Sequence, residues 1–119
     1  MRLPEVLPTV SDGRLEAHII GLPACCPVSK NPRPGSTLII CYRPQSSVLE
    51  VGALYAYIHQ YKGGLRDEAG VIIIRDMEGM ISLIAAHCAQ VVQVPVSVCA
   101  NVVIAPKQMM YLLVRSKER

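Results

Sequence analysis

Phenylalanine and tryptophan are both missing from this chain of 119 residues. The core therefore has to be built from valine, isoleucine, leucine, methionine and the five tyrosines. Charge of one sign is scarce too: twelve Lys and Arg against nine Asp and Glu give a formal net charge of +3. The basic residues are dispersed, apart from the tail Arg115-Ser116-Lys117-Glu118-Arg119. That pattern makes no nucleic-acid footprint, although it weakly favours a small anionic ligand. No apolar run approaches the roughly 20 residues of a membrane-spanning helix. The prolines of MRLPEVLPTV break the apolar stretch that a secretory signal needs. Five cysteines without regular spacing do not make a disulfide framework. Internal repeats and low-complexity tracts are absent. The expectation is a cytoplasmic protein with free thiols and no membrane partner.

What remains is abundant in β-branched residues, which predicts a large sheet component. The length suits one domain. An apolar fraction of 51% in so short a chain predicts that some surface is buried by copies of the same chain, a homo-oligomer.

Along the chain, residues 1–13 carry Pro4, Pro8 and Ser11-Asp12-Gly13 and read as a flexible arm ending in a turn. The single domain is residues 14–119. Arg14 to Ile20 alternate as a strand, with Leu15, Ala17 and Ile19 on one face and Glu16, His18 and Ile20 on the other. Gly21 to Gly35 hold too many prolines and glycines for regular structure. Thr37 to Tyr42 form a second strand. Ser47-Val48-Leu49-Glu50 fits a capping box ahead of a helix, which Gly63-Gly64 would end. Val71 to Ile74 read as a short strand. Asp76 suits the N-cap of a second helix, whose core stripe is Met77, Ile81, Ile84, Cys88 and Val91. Pro95 to Ile104 and Met109 to Arg115 read as two apolar strands joined by a hairpin. Helices grouped in the middle of an antiparallel sheet make an α+β fold. Its long outer strands leave edges that neighbouring subunits would close into a barrel.

The stretch Cys26-Pro27-Val28-Ser29-Lys30-Asn31-Pro32 lies ahead of a strand. Leu49-Glu50 then opens a helix running to Tyr61-Lys62, and Glu78 stands at the start of the second helix. Together these resemble the tunnelling-fold enzymes, nearest the 7-cyano-7-deazaguanine nitrile reductases and the amidinotransferases that make archaeosine in tRNA. The likeness covers about residues 14 to 115. Type IB GTP cyclohydrolases resemble it more distantly.

The resemblance implies a ββααββ subunit with an antiparallel sheet and two helices on one face. Several copies, a pentamer or a pair of pentamers, would form the barrel, with active sites between subunits. It implies that Cys26 attacks a nitrile carbon to give a covalent thioimide, and that Glu78 holds the ring N–H and amino group of a guanine-like base, or of a pterin. Glu50 matches a family glutamate as well as a helix cap. Four positions depart from the reductase pattern. Arg33 stands where those enzymes place a proton-donating aspartate, and a guanidinium cannot donate a proton at neutral pH. It suits lowering a thiol pKa or holding an anion. Gly52 and Tyr55 replace the lysines that hold NADPH phosphates, and Met77 replaces a catalytic histidine. NADPH reduction and amidine formation therefore stand as two fates of one thioimide, with tRNA a partner only in the second. His18 on the first strand is the candidate proton carrier. In the cyclohydrolase alternative, Glu68 matches a metal ligand and zinc would be the cofactor; the primary reading assigns no metal. A further alternative is a non-catalytic ligand-binding oligomer. Cys41, Cys88 and Cys99, inside strand or helix patterns, read as core.

Overall fold

The structure is a computed structural model that describes residues 1–116. The chain runs β1 (Val6–Pro8), β2 (Glu16–Gly21), β3 (Thr37–Tyr42), β4 (Ser47–Leu49), α1 (Val51–His59), β5 (Leu65–Arg66), β6 (Ile72–Ile74), α2 (Met77–Val92), β7 (Ser97–Ala105) and β8 (Gln108–Arg115). This is an α+β fold with antiparallel sheets. The main sheet has the order β2-β3-β7-β8, every neighbour antiparallel. Both helices fall between its second and third strands. Two small ribbons, β1-β4 and β5-β6, flank them.

Alternation decides which face is covered. Leu38, Ile40 and Tyr42 of β3 and Val98, Ala100 and Val102 of β7 are buried. They join one core with Leu54, Tyr57 and Ile58 of α1 and Met80, Ile81, Ile84, Cys88 and Val92 of α2. The intervening residues form the opposite face. There Ile19, Ile39, Cys99 and Leu113 stand in one register row across all four strands. Ile19 and Leu113 are 71% and 76% exposed. The edges of the sheet, β2 and β8, thus carry uncovered apolar side chains.

Several local readings change. The arm holds β1, which pairs with β4 through Val6↔Leu49. The proposed capping box is instead strand β4. Glu50 itself is the N-cap of α1, its carboxylate accepting from the Gly52 and Ala53 amides at 3.0 and 2.8 Å. The physical reason is that Ser47–Leu49 spend their backbone groups on pairing with β1, so they cannot also be helical. Helix α1 stops at His59, and Gln60 to Gly63 continue in turns rather than helix. Asp76 caps α2 as expected, accepting from the Gly79 amide at 2.9 Å. In α2 the buried stripe is centred on Met80, Ile84 and Cys88, with Met77 and Val91 at its margin. Cys88 is core, but Cys41 and Cys99 are not: strand parity puts both on the uncovered face, half-buried.

A buried polar chain ties the helices together. The Tyr57 hydroxyl lies 2.9 Å from that of Tyr61 and 2.8 Å from His87 Nδ1. Tyr57 and Tyr61 are wholly enclosed. The Tyr57 hydroxyl carries one proton, so it donates to one of these two neighbours and accepts from the other.

Candidate functional site

The loop between β2 and β3 is held by its own backbone. Cys25 and Cys26 both donate their amides to the Asn31 carbonyl at 2.9 Å, and Lys30 donates to the Cys26 carbonyl at 3.0 Å. Lys30 sits at φ 65°, the left-handed region that side chains adopt rarely. Outside contacts pin the loop to the turn after α1 and to β7. Gly63 donates to the Ala24 carbonyl at 2.8 Å, Arg33 donates to the Val103 carbonyl at 2.9 Å, and Ser36 Oγ accepts from the Val103 amide at 2.9 Å.

This frame separates two adjacent thiols. Cys25 is fully buried, with Sγ 3.9 Å from the Asp76 carbonyl oxygen. Burial pushes its pKa up to about 11. Cys26 points the other way and remains partly exposed. Its Sγ accepts from the Ser29 amide at 3.3 Å. The Ser29 hydroxyl, the Ser29 amide and the Val28 amide, in that order, favour the thiolate, and the positive charge of Arg75 adds to them. Together they bring Cys26 down to about 7. Donors aimed at a sulfur stabilise its anion more than its neutral form. The sequence pointed to Arg33 for this effect; the cation acting on the sulfur is Arg75.

The other candidates fall in different places. Arg33 is exposed and reaches Asn31 Oδ1 at 3.4 Å, within the loop. Glu78 is exposed in the first turn of α2. The Cys25–Asp76 contact brings the loop against the cap of that helix, two residues before Glu78. His18 lies on the covered side of β2, stacked on Tyr42, with Nε2 3.3 Å from the Tyr42 hydroxyl and 3.6 Å from Glu16 Oε1. Burial lowers its pKa. Its partners are at the strand end remote from the Cys26 loop. Glu50 is occupied as a cap, and the amides it binds hold its pKa below the usual carboxylate range. Glu68 is exposed in a turn whose closing acceptor is Asp67, which binds the Ala69 and Val71 amides at 2.9 Å.

Among the described residues no group of three or more His, Cys, Asp or Glu is gathered to hold a metal ion. The zinc alternative thus has no ligand set within one chain's described residues. Helix α1 reads VGALYAYIH and carries no lysine or arginine, so it offers no cation to NADPH phosphates. No described helix is long and apolar enough to cross a membrane. Clefts of about 450 Å³ lie between the N-terminal segment and α1, and between β2 and α1; neither is lined by Cys26 or Glu78.

The chain matches no family model and no curated protein.

Two contributors escaped the sequence reading, Ser29 and Arg75. Ser29 had a signal: a serine three residues after a cysteine in a proline-flanked turn can fold its amide back onto the sulfur. Arg75 had none, because its proximity to Cys26 depends on how β6 delivers the chain to α2.

Proposed function

We propose that this chain is a tunnelling-fold-type enzyme that uses Cys26 to capture an electrophilic carbon of a flat, guanine-like base. The substrate class best suited is a 7-deazaguanine nitrile. The Cys26 thiolate forms a C–S bond to the nitrile carbon, one C–N π bond breaks, and the nitrogen takes up the proton that the thiol released. The product is a covalent thioimide. Glu78, an acceptor at a helix N-terminus, would hold the ring N–H and amino group by two parallel charge-assisted bonds. The observation that carries this reading is the partly exposed Cys26 sulfur, whose local donors hold it near neutrality while its buried neighbour is kept protonated. Because α1 lacks cations for a dinucleotide phosphate, we carry the chemistry only as far as the thioimide.

The catalytic unit in this proposal is a homo-oligomer. β2 and β8 are unpaired sheet edges flanked by exposed Ile19, Tyr111 and Leu113, and joining β8 of one copy to β2 of the next would satisfy both. A ring of copies, pentameric or doubly pentameric, would also bring a neighbour's surface over the open Cys26 loop.

The test is intact-mass measurement after mixing with 7-cyano-7-deazaguanine. Wild type is expected to gain the mass of one nitrile per chain, and Cys26→Ala to gain none. An unmodified wild-type mass across neutral and mildly alkaline pH would remove the nitrile chemistry.

A further inference from the structure

We infer that the uncovered face of the sheet carries a second site, for a small phosphate-type anion, at the end away from the Cys26 loop. It does not depend on the nitrile reading. Residues Ala17, Cys41, Ser97 and Arg115 form one register row across β2, β3, β7 and β8. Arg43 lies two residues beyond Cys41, so strand parity directs it to the same face. The row is about 13 Å along β3 from Thr37, where the Cys26 loop rejoins the sheet.

A cavity of about 240 Å³ opens there, and Arg43, Arg115, Ser97, Cys41, Leu15 and Pro95 contribute to its lining. No acidic residue lines it. Arg2 is paired with Glu5, and Arg14 with Asp12 and Glu16, whereas the remaining described arginines bond only to neutral groups or to none. Among the described residues Arg43 and Arg115 have no carboxylate partner. Arg43 is held by one bond only, Nη1 to the Gly13 carbonyl at 3.0 Å. That contact orients the guanidinium and leaves its other N–H groups available. Both guanidiniums border one cavity, so a single anion there can be met by N–H groups from two strands' ends. Ser97 adds a neutral hydroxyl donor, and Leu15 and Pro95 form an apolar wall that strengthens charge-assisted bonds.

Size narrows the ligand. The cavity is smaller than the roughly 300–1,000 Å³ of sites that enclose a whole drug-sized molecule. It suits a phosphate group, either free phosphate or the phosphate end of a small monoester.

The test is titration of the full chain with inorganic phosphate, and separately with glycerol phosphate, followed by backbone amide shifts. Saturable shifts are expected at Cys41, Arg43, Ser97 and Arg115. Arg43→Gln and Arg115→Gln should each weaken binding about tenfold, the size of one charge-assisted bond. Arg66→Gln, which removes an exposed arginine elsewhere, should leave it unchanged. Dispersed amide spectra of each variant check the fold; Arg115→Lys, which keeps the charge, serves if a glutamine variant loses it and should still weaken binding. Tighter binding of glycerol phosphate would assign a monoester, and equal binding free phosphate. Shifts that rise without saturating, or an equal loss in Arg66→Gln, would overturn the site.

Discussion

Alkylation of Cys26 should follow a titration curve centred at about pH 7, and Ser29→Ala should move that curve upward. The hydroxyl of Ser29 is the largest contributor to the shift, ahead of the two backbone amides. Two opposing effects set the change in rate. A thiol returned to its ordinary value near ~8.5 would be only about 3% ionised at pH 7, against one half now, a loss of roughly fifteenfold in thiolate. The more basic thiolate is also the better nucleophile, by roughly fivefold for that change in pKa. A complete return would therefore slow neutral-pH alkylation only about threefold, while the plateau rate at high pH rises. This crossing of the two rate profiles is the diagnostic result. Site-resolved mass spectrometry should find Cys25 unmodified over the same range, because burial holds it near 11. Parallel profiles for wild type and Ser29→Ala would show that the loop does not tune the sulfur.

Tyr57→Phe should destabilise the fold by about 2–4 kcal/mol, read from urea denaturation. The substitution keeps the ring and removes one oxygen, so packing is preserved. It strands two partners: the enclosed Tyr61 hydroxyl and His87 Nδ1. Each unsatisfied buried polar group is worth about 1–3 kcal/mol, and His87, half-buried, recovers part of its share from water. Stability of the wild-type chain should also depend on pH. Burial lowers the pKa of His87, and also that of His18. A histidine depressed in the folded state binds its proton later than the unfolded chain does. Its stabilising contribution is full above the unfolded value near ~6.5 and is lost as pH falls from there toward the folded value. An unchanged urea midpoint would mean that the hydroxyl chain contributes nothing.

The regular elements were readable because each repeats a period. Strand alternation marked β2, β3, β7 and β8, and the spacing of Ile81, Ile84 and Cys88 marked α2. Errors arose where long-range pairing overrides local signals. Ser47 and Glu50 satisfy a capping pattern three residues apart, yet Ser47–Leu49 answer to β1, some forty residues upstream. Cys41 and Cys99 sit in apolar runs, and period-2 alternation does not say which face the helices cover. The Cys26 loop was legible from its prolines and its cysteine pair. The Tyr57–Tyr61–His87 chain was not, since it joins residues of the first helical segment to one on α2 that no sequence pattern links.

The central claim is that Cys26 and Glu78 serve one base-binding site. It is tested most directly by the rate of Cys26 alkylation with and without a saturating, nitrile-free 7-deazaguanine. The account predicts that the base protects Cys26 in wild type and that Glu78→Gln abolishes the protection without changing the unprotected rate. A base that leaves the wild-type rate unaltered, or protects Glu78→Gln equally well, would contradict it.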